Sequence, residues 1–198
     1  GEGNLFLLLG LTAIICIILG MGMPTTAIYF LLAVLATQPL IDLGVEPLSA
    51  HLFVLYFGLM SMITPPVALA AFTAAKLAGA RPMATAWAAC RFGWPAFIVP
   101  FLFVIAPNLI MIGDPIDIII AFISSIAGIW FTSAGFIGYL TSHLNAIQRT
   151  VYIVGGLFLL LPSQAFEQAY LVELAGAALC FVIFTQEVSN RKNKEKFV

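Results

Sequence analysis

The chain has 198 residues, 62% of them hydrophobic and 9% charged, with a formal net charge of −1 and a mean hydropathy of +1.10. A soluble domain carries about 25% charged residues, so an ordinary soluble globule is excluded, and no basic stretch interleaved with aromatics lies outside the C-terminal tail to suggest a nucleic-acid partner. The continuous apolar runs, rich in Leu, Ile, Ala and Phe, predict an all-α polytopic membrane protein embedded in a lipid bilayer rather than a barrel of alternating strands of about ten residues.

Leu5–Leu19 is the first apolar stretch. As a helix it is about 22 Å long, short of a hydrocarbon core of about 30 Å. It ends at Gly20-Met21-Gly22-Met23-Pro24-Thr25-Thr26, where two glycines and a proline within five residues cannot sit in an undisturbed helix. Apolar sequence resumes over Ala27–Thr37. A single helix over Leu5–Gln38 would measure about 50 Å, too long without severe tilt. A re-entrant helical hairpin over 5–38, with its tip at Gly20–Thr26, accommodates both halves and returns both ends to one membrane face. Pro39–Ser49 is expected to be a loop carrying Asp42 and Glu46. Ala50–Ile63 and Pro66–Lys76 read as the halves of a broken transmembrane helix over 50–76, interrupted at Ile63-Thr64-Pro65-Pro66-Val67. The connection Lys76–Phe92 carries Lys76, Arg81 and Arg91 and no acid.

Gly93–Ile112 is the next span, expected to kink at Pro95, Pro100 and Pro107. After the loop Gly113–Asp117 come about three further transmembrane helices: Ile116–Leu140, Val151–Leu161 ended by Pro162, and Ala169–Glu187. The loops between them are Thr141–Thr150, with Arg149, and Ser163–Gln168, with Glu167; Asn190–Lys196 is a basic tail. The positive-inside rule places that tail in the cytoplasm. Counting back, Thr141–Thr150 and Lys76–Phe92 are inside, whereas Pro39–Ser49, Gly113–Asp117 and Ser163–Gln168 are outside and carry no Lys or Arg. The hairpin then enters from outside with its tip pointing inward. The chain starts at Gly1 without a cleavable signal pattern and reads as the C-terminal part of a longer one.

In lipid, freed backbone groups must find partners, so unwound backbone survives only inside protein or beside a water-filled cavity. Two breaks in neighbouring segments suggest an ion or substrate site near the bilayer midplane. At Gly20–Thr26, tip carbonyls and the Thr25 and Thr26 hydroxyls could coordinate a cation; sodium is hard and takes oxygen ligands, as the alkaline-earth cations do. A glycine–proline kink for helix packing is the alternative. At Ser61–Val67, the Ser61 and Thr64 hydroxyls join carbonyls freed by Pro65 and Pro66; the alternative is a kink with Thr64 bonded back to its own helix.

Elsewhere the chemistry is sparse. His51 reads as an interfacial structural histidine or, less simply, a proton relay. Lys76, Arg81 and Arg91 read as snorkelling topology determinants, and Trp87, Trp94 and Tyr139 as interface anchors. Glu173 lies just inside the last span, at the headgroups or paired in the bundle. Cys16, Cys90 and Cys180 are far apart and form no CxxC or Cys/His cluster. Ser124, Ser125 and Ser133 have no catalytic partner at a defined spacing, and HExxH, GxSxG and a phosphate-binding loop are absent from the sequence. No enzyme is expected, and no ATP hydrolysis.

The segment Leu19-Gly20-Met21-Gly22-Met23-Pro24-Thr25-Thr26-Ala27, followed by Ile63-Thr64-Pro65-Pro66-Val67-Ala68-Leu69-Ala70 and Ala78-Gly79-Ala80, resembles the large membrane subunit of TRAP (tripartite ATP-independent periplasmic) transporters. The likeness is nearest to fused TAXI-type permeases. It implies half of an inverted-repeat elevator transporter in the bacterial inner membrane. Residues 1–112 would be the C-terminal part of the transporter core, with the hairpin, the broken helix and the helix 93–112; residues 113–198 would be a helical extension with a basic cytoplasmic tail. The resemblance further implies sodium-coupled uptake of small organic anions such as carboxylates. A periplasmic substrate-binding protein would deliver the anion, with a small membrane subunit fused upstream and the N-terminal half of the same permease completing the machine. Carried over by position, Gly20, Ser61, Thr64 and Val67 would lend sodium ligands. Gly22, Met23, Pro24, Thr25 and Thr26, with Pro65 and Pro66, would form the hairpin tip and substrate side. Sodium would be the coupling ion and no other cofactor is implied. The sequence departs from the resembled pattern at Ser61, where relatives often carry Gly, and at Met62, where TAXI-type relatives often carry an acid. A proton-coupled carrier using His51 and Glu173, and a non-transporting scaffold, are the competing readings.

Overall fold

A computed structural model describes residues 5–140, 142–161 and 169–195. Pro162, the expected outer loop Ser163–Gln168 with Glu167, and Thr141 and Lys196 lie outside the described residues. The described chain is all helix, without a named strand: α1 Leu5–Gly20, α2 Thr25–Asp42, α3 Pro47–Met60, α4 Leu69–Leu77, α5 Pro82–Phe92, α6 Pro95–Ile105, a 3-10 turn at Pro107–Ile110, α7 Pro115–Ile137, α8 Ala146–Leu160 and α9 Ala169–Glu195. Thr25–Asp42, Pro82–Ile105 and Pro115–Ile137 are each long and apolar enough to cross a membrane, and shorter apolar helices accompany them. The protein is therefore an all-α membrane protein. It divides into two compact units, Gly1–Ile110 and Met111–Val198.

In the first unit the helices are apolar on every face, and the positions buried in a shared core recur every three or four residues along each of them. Leu9, Ala13 and Cys16 of α1 meet Ile28, Leu32, Ala36 and Leu40 of α2 and Phe53, Val54 and Phe57 of α3. The Phe101 ring of α6 stands edge-on to Phe53 at 5.2 Å and to Phe57 at 5.5 Å, an arrangement that the ring quadrupole favours. The buried Ser49 hydroxyl donates to the Phe103 carbonyl at 2.6 Å and ties α3 to α6. On the opposite stripes, Phe6, Leu7, Ile14, Phe30 and Val34 are exposed, as lipid or further transporter helices require.

Over the segment 5–38, expected to be a re-entrant hairpin, the chain forms α1, a turn at 21–24 and α2. However, α2 passes through Pro39 and runs to Asp42. Pro39 withholds one donor from the ladder, while buried Ala36 and Leu40 and the Gln38–Asp42 side-chain bond at 2.8 Å hold the turn. The expected loop Pro39–Ser49 shrinks accordingly. It closes with Gly44 N–H on the Ile41 carbonyl (2.8 Å) and Val45 N–H on the Leu40 carbonyl (3.1 Å), with Gly44 at φ +88°: a Schellman closure, with apolar Val45 packed near Leu40. The Ala78-Gly79-Ala80 motif ends α4 in the same way, through Ala80 N–H on the Ala75 carbonyl at 2.8 Å.

A second difference concerns Lys76–Phe92, expected as a connection. Only 78–81 connects; from Pro82 the chain is helical as α5. Proline at the first helical position and an alanine-rich run favour this, and the two arginines concealed it. Arg91 consequently lies on a helix, about 14 Å along from Pro82. The expected helix 93–112 is α6, which ends at Ile105.

The second unit is an up-down-up arrangement of α7, α8 and α9, whose contacts join α7 to α8 and α8 to α9. Glycines set the spacing. A methyl group on Gly128 would stand 2.8 Å from the Gly156 carbonyl, and one on Gly176 would stand 2.7 Å from the Gly155 carbonyl. The Gly155-Gly156 doublet thus serves both neighbours at once, the close backbone approach that small residues allow in membranes. Asn145 caps α8 by accepting from Ile147 N–H at 3.0 Å, while Gln148 returns a bond to Asn145 N–H at 2.9 Å.

Candidate ion site at two helix breaks

The broken helix follows from counting donors. In a continuous helix, Pro65 and Pro66 would donate to the carbonyls of Ser61 and Met62, but neither has an N–H. The Met62 carbonyl is met instead by Ala70 N–H at 3.0 Å. The Ile63 carbonyl takes the Cys90 thiol of α5 at 3.3 Å. The Thr64 carbonyl takes Ala68 N–H at 3.2 Å. Among the described residues, no backbone N–H reaches the carbonyls of Ser61, Pro65, Pro66 or Val67. Ala68 closes the break in a left-handed conformation (φ 35°, ψ 51°) and is fully buried, a conformation that is rare without a glycine. The Pro65–Pro66 peptide bond is cis.

The hydroxyls of the break turn inward on their own helix. Ser61 is buried and donates to the Gly58 carbonyl at 2.6 Å. Thr64 donates to the Met60 carbonyl at 2.7 Å, which is the back-bonded arrangement raised as the alternative. Donation leaves the lone pairs of both oxygens available to a cation.

The hairpin meets this break at Gly20. A methyl group there would stand 2.7 Å from the Ser61 hydroxyl oxygen and 2.9 Å from the Gly58 carbonyl oxygen. One on Gly58 would stand 2.6 Å from the Ile28 methyl of α2. The end of α1, the start of α2 and the end of α3 thus converge where Gly20 and Gly58 present no side chain of their own. Past Gly20 the turn needs φ +83° at Gly22, and Pro24 leads into α2 in an extended conformation. Met23 packs against the core, whereas Gly22, Pro24, Thr25 and Thr26 are exposed. Of the residues singled out by sequence, Gly20 and Ser61 are brought into contact, and Thr64, Pro65, Pro66 and Val67 share the break with Ser61. Among the described residues, Thr25 and Thr26 form no hydrogen bond with it.

Every available ligand is an uncharged oxygen. Among the described residues no three His, Cys, Asp or Glu side chains cluster. Such a set suits a hard monovalent cation better than a soft or highly charged one.

The family model of the tripartite ATP-independent periplasmic transporter DctM component matches residues 1–115. The chain belongs to the DctM family. This makes it a TRAP transporter permease component and not an enzyme, and the family implies a periplasmic binding protein and a small subunit as the other components. No curated protein and no solved structure matches the chain. The match includes both breaks of this DctM-family chain and ends close to the start of α7.

Three residues of the site escape sequence reasoning. Gly58 is an unremarked glycine in an apolar helix, Cys90 an isolated thiol, and Ala68 an ordinary alanine. Their importance lies in the partner each meets. His51, read as a lone histidine, is bonded through Nδ1 to the Tyr29 hydroxyl at 3.1 Å.

Proposed function

We propose that this permease component couples sodium entry to the uptake of small organic anions, carboxylates among them, handed over by the periplasmic binding protein. In this reading sodium is held by the Gly20 carbonyl, by oxygens of Ser61 and Thr64, and by the Val67 carbonyl. Gly22, Met23, Pro24, Thr25 and Thr26, with Pro65 and Pro66, face the substrate. The observation that carries it is the seat of Gly20 on Ser61 and Gly58 beside the carbonyls of Ser61, Pro65, Pro66 and Val67, which no backbone N–H reaches among the described residues. Such oxygens in a membrane call for an ion or water. Coupling follows if the hairpin and the broken helix close on the ion together, so that an empty site leaves the pair loose.

In the same proposal the small subunit is fused upstream, and an N-terminal half with its own hairpin and broken helix completes an elevator-type carrier. The protein sits in the bacterial inner membrane with its C-terminus in the cytoplasm. The test is uptake by the full-length transporter in proteoliposomes under an imposed sodium gradient, with its binding protein present. Thr64→Ala is expected to raise the half-saturating sodium concentration about tenfold, the equivalent of one charge-assisted contact, with little loss of expression. Unchanged sodium activation in that variant would remove Thr64 from the site. Uptake driven by a proton gradient and indifferent to sodium would favour the second reading, for which the Tyr29–His51 bond is the specific observation.

A further inference from the structure

The second unit contains a groove of about 630 Å³ between α7 and α9, floored by Leu159 of α8. Its walls are apolar, with Ile123 and Phe131 on one side and Leu174 and Phe181 on the other. Several of these are well exposed: Ile123 at 64% and Phe181 at 65%. One ionisable side chain lines it, Glu173, and Ser124 stands on the facing wall. Among the described residues no hydrogen bond or ion pair engages Glu173.

The charge pattern along the unit is polarised. Contacts of Gly128 with Gly156 and Leu160, and of Gly135 with Arg149 and Ile153, make α7 and α8 antiparallel; contacts of Gly155 with Cys180 and of Gly176 with Leu159 do the same for α8 and α9. α7 and α9 therefore start at the same end. That end carries Asp114, Asp117 and Glu173, and its two connecting segments, 111–114 and 161–168, contain no Lys or Arg. The basic residues Arg149, Arg191, Lys192 and Lys194 belong to the other end. The groove thus runs from a carboxylate at an acidic end into an apolar trough. From Ile120 to Phe131 its length is about 16 Å.

We propose that this groove binds one phospholipid bearing a primary-ammonium headgroup. The acyl chain lies along the trough, and the ammonium sits on the Glu173 carboxylate, assisted by the Ser124 hydroxyl. A carboxylate beside lipid is unfavourable unless a cation meets it, and among the described residues of this unit no Lys or Arg lies at that end. An anionic headgroup is disfavoured by three carboxylates. The inference is independent of the ion site and of sodium coupling.

The test is native mass spectrometry of the full chain, purified in mild detergent and offered phosphatidylethanolamine or phosphatidylglycerol of identical acyl composition. The expected result is retention of one phosphatidylethanolamine, with a preference of about tenfold over phosphatidylglycerol. Glu173→Gln should erase that preference without altering the elution profile. Ala177→Trp, which fills the trough from a wall position, should abolish retention of either lipid. Equal retention of both lipids by the unaltered protein, or an unchanged preference in Glu173→Gln, would overturn the proposal. So would a photo-cross-linker at Ala177 that captures a protein helix in native membranes instead of lipid.

Discussion

Gly20 shows what a single missing side chain can decide. Its burial against Ser61 and Gly58 leaves no space for a methyl group, and backbone on one side cannot yield as a flexible side chain would. Gly20→Ala is therefore expected to destabilise the first unit by about 1–3 kcal/mol, the range for overpacking a filled site, and to push the hairpin off the broken helix. Gly10→Ala is the matched control, because nothing lies within 4 Å of the methyl group it would add; it should leave stability unchanged or raise it slightly. Thermal unfolding of the two variants in detergent, followed by fluorescence, separates them, and equal midpoints would show that Gly20 is not a packing contact. The contrast also marks the boundary of what sequence can disclose. Gly20, Gly22, Pro24, Pro65 and Pro66 were readable because glycine and proline act on their own backbone. Gly58, Ala68 and Cys90 were not, because their roles depend on Ile28, on the closure of the break and on the Ile63 carbonyl, and each partner is fixed only by tertiary packing.

Among the elements, ends were harder to read than breaks. α2 continues through Pro39 and α5 begins at Pro82, so in one case a proline and in the other a pair of arginines looked like loop signals. Packing outweighed the first, and local alanine propensity outweighed the second. The end of α7 illustrates an interaction of another kind. Gly138 turns left-handed at φ 81°, and Arg149, from the first turn of α8, donates through Nε to the Gly135 carbonyl and through Nη2 to the Phe136 carbonyl, both at 3.1 Å. Read from sequence as a topology charge, Arg149 is also the group that satisfies the last carbonyls of the preceding helix, where a cation favours the negative end of the dipole. Arg149→Gln should cost about 1 kcal/mol and speed amide exchange in the last turn of α7 and the first turn of α8. Hydrogen-exchange mass spectrometry reads this directly, with α9 as the internal reference, and exchange unaltered at both turns would leave Arg149 as no more than a topology charge.

For the whole molecule, the sign of charge alternates along the chain in step with the helical passages. Asp42 and Glu46 precede the broken helix, Lys76 and Arg81 follow it, Asp114 and Asp117 follow α6, Arg149 follows α7, and Arg191, Lys192 and Lys194 follow Glu173 at the far end of α9. Helix packing imposes no such alternation. A bilayer that retains Lys and Arg on one face does, provided that α3 to α4 and α5 to α6 each cross once. The extension of α5 strengthens this pattern, since it takes Arg91 out of the loop and leaves Lys76 and Arg81 to mark the side. The expected outcome is that a cysteine at Glu46 reacts with a membrane-impermeant maleimide added to intact cells, whereas one at His143 reacts only after the membrane is opened. Both positions are exposed. The background is small because Cys16 and Cys180 are fully buried, and Cys90→Ser removes the partly exposed thiol while keeping a donor for the Ile63 carbonyl. If both sites label from outside, an odd number of crossings between them is ruled out, and at least one of the passages α3–α4, α5–α6 and α7 is then not a single crossing.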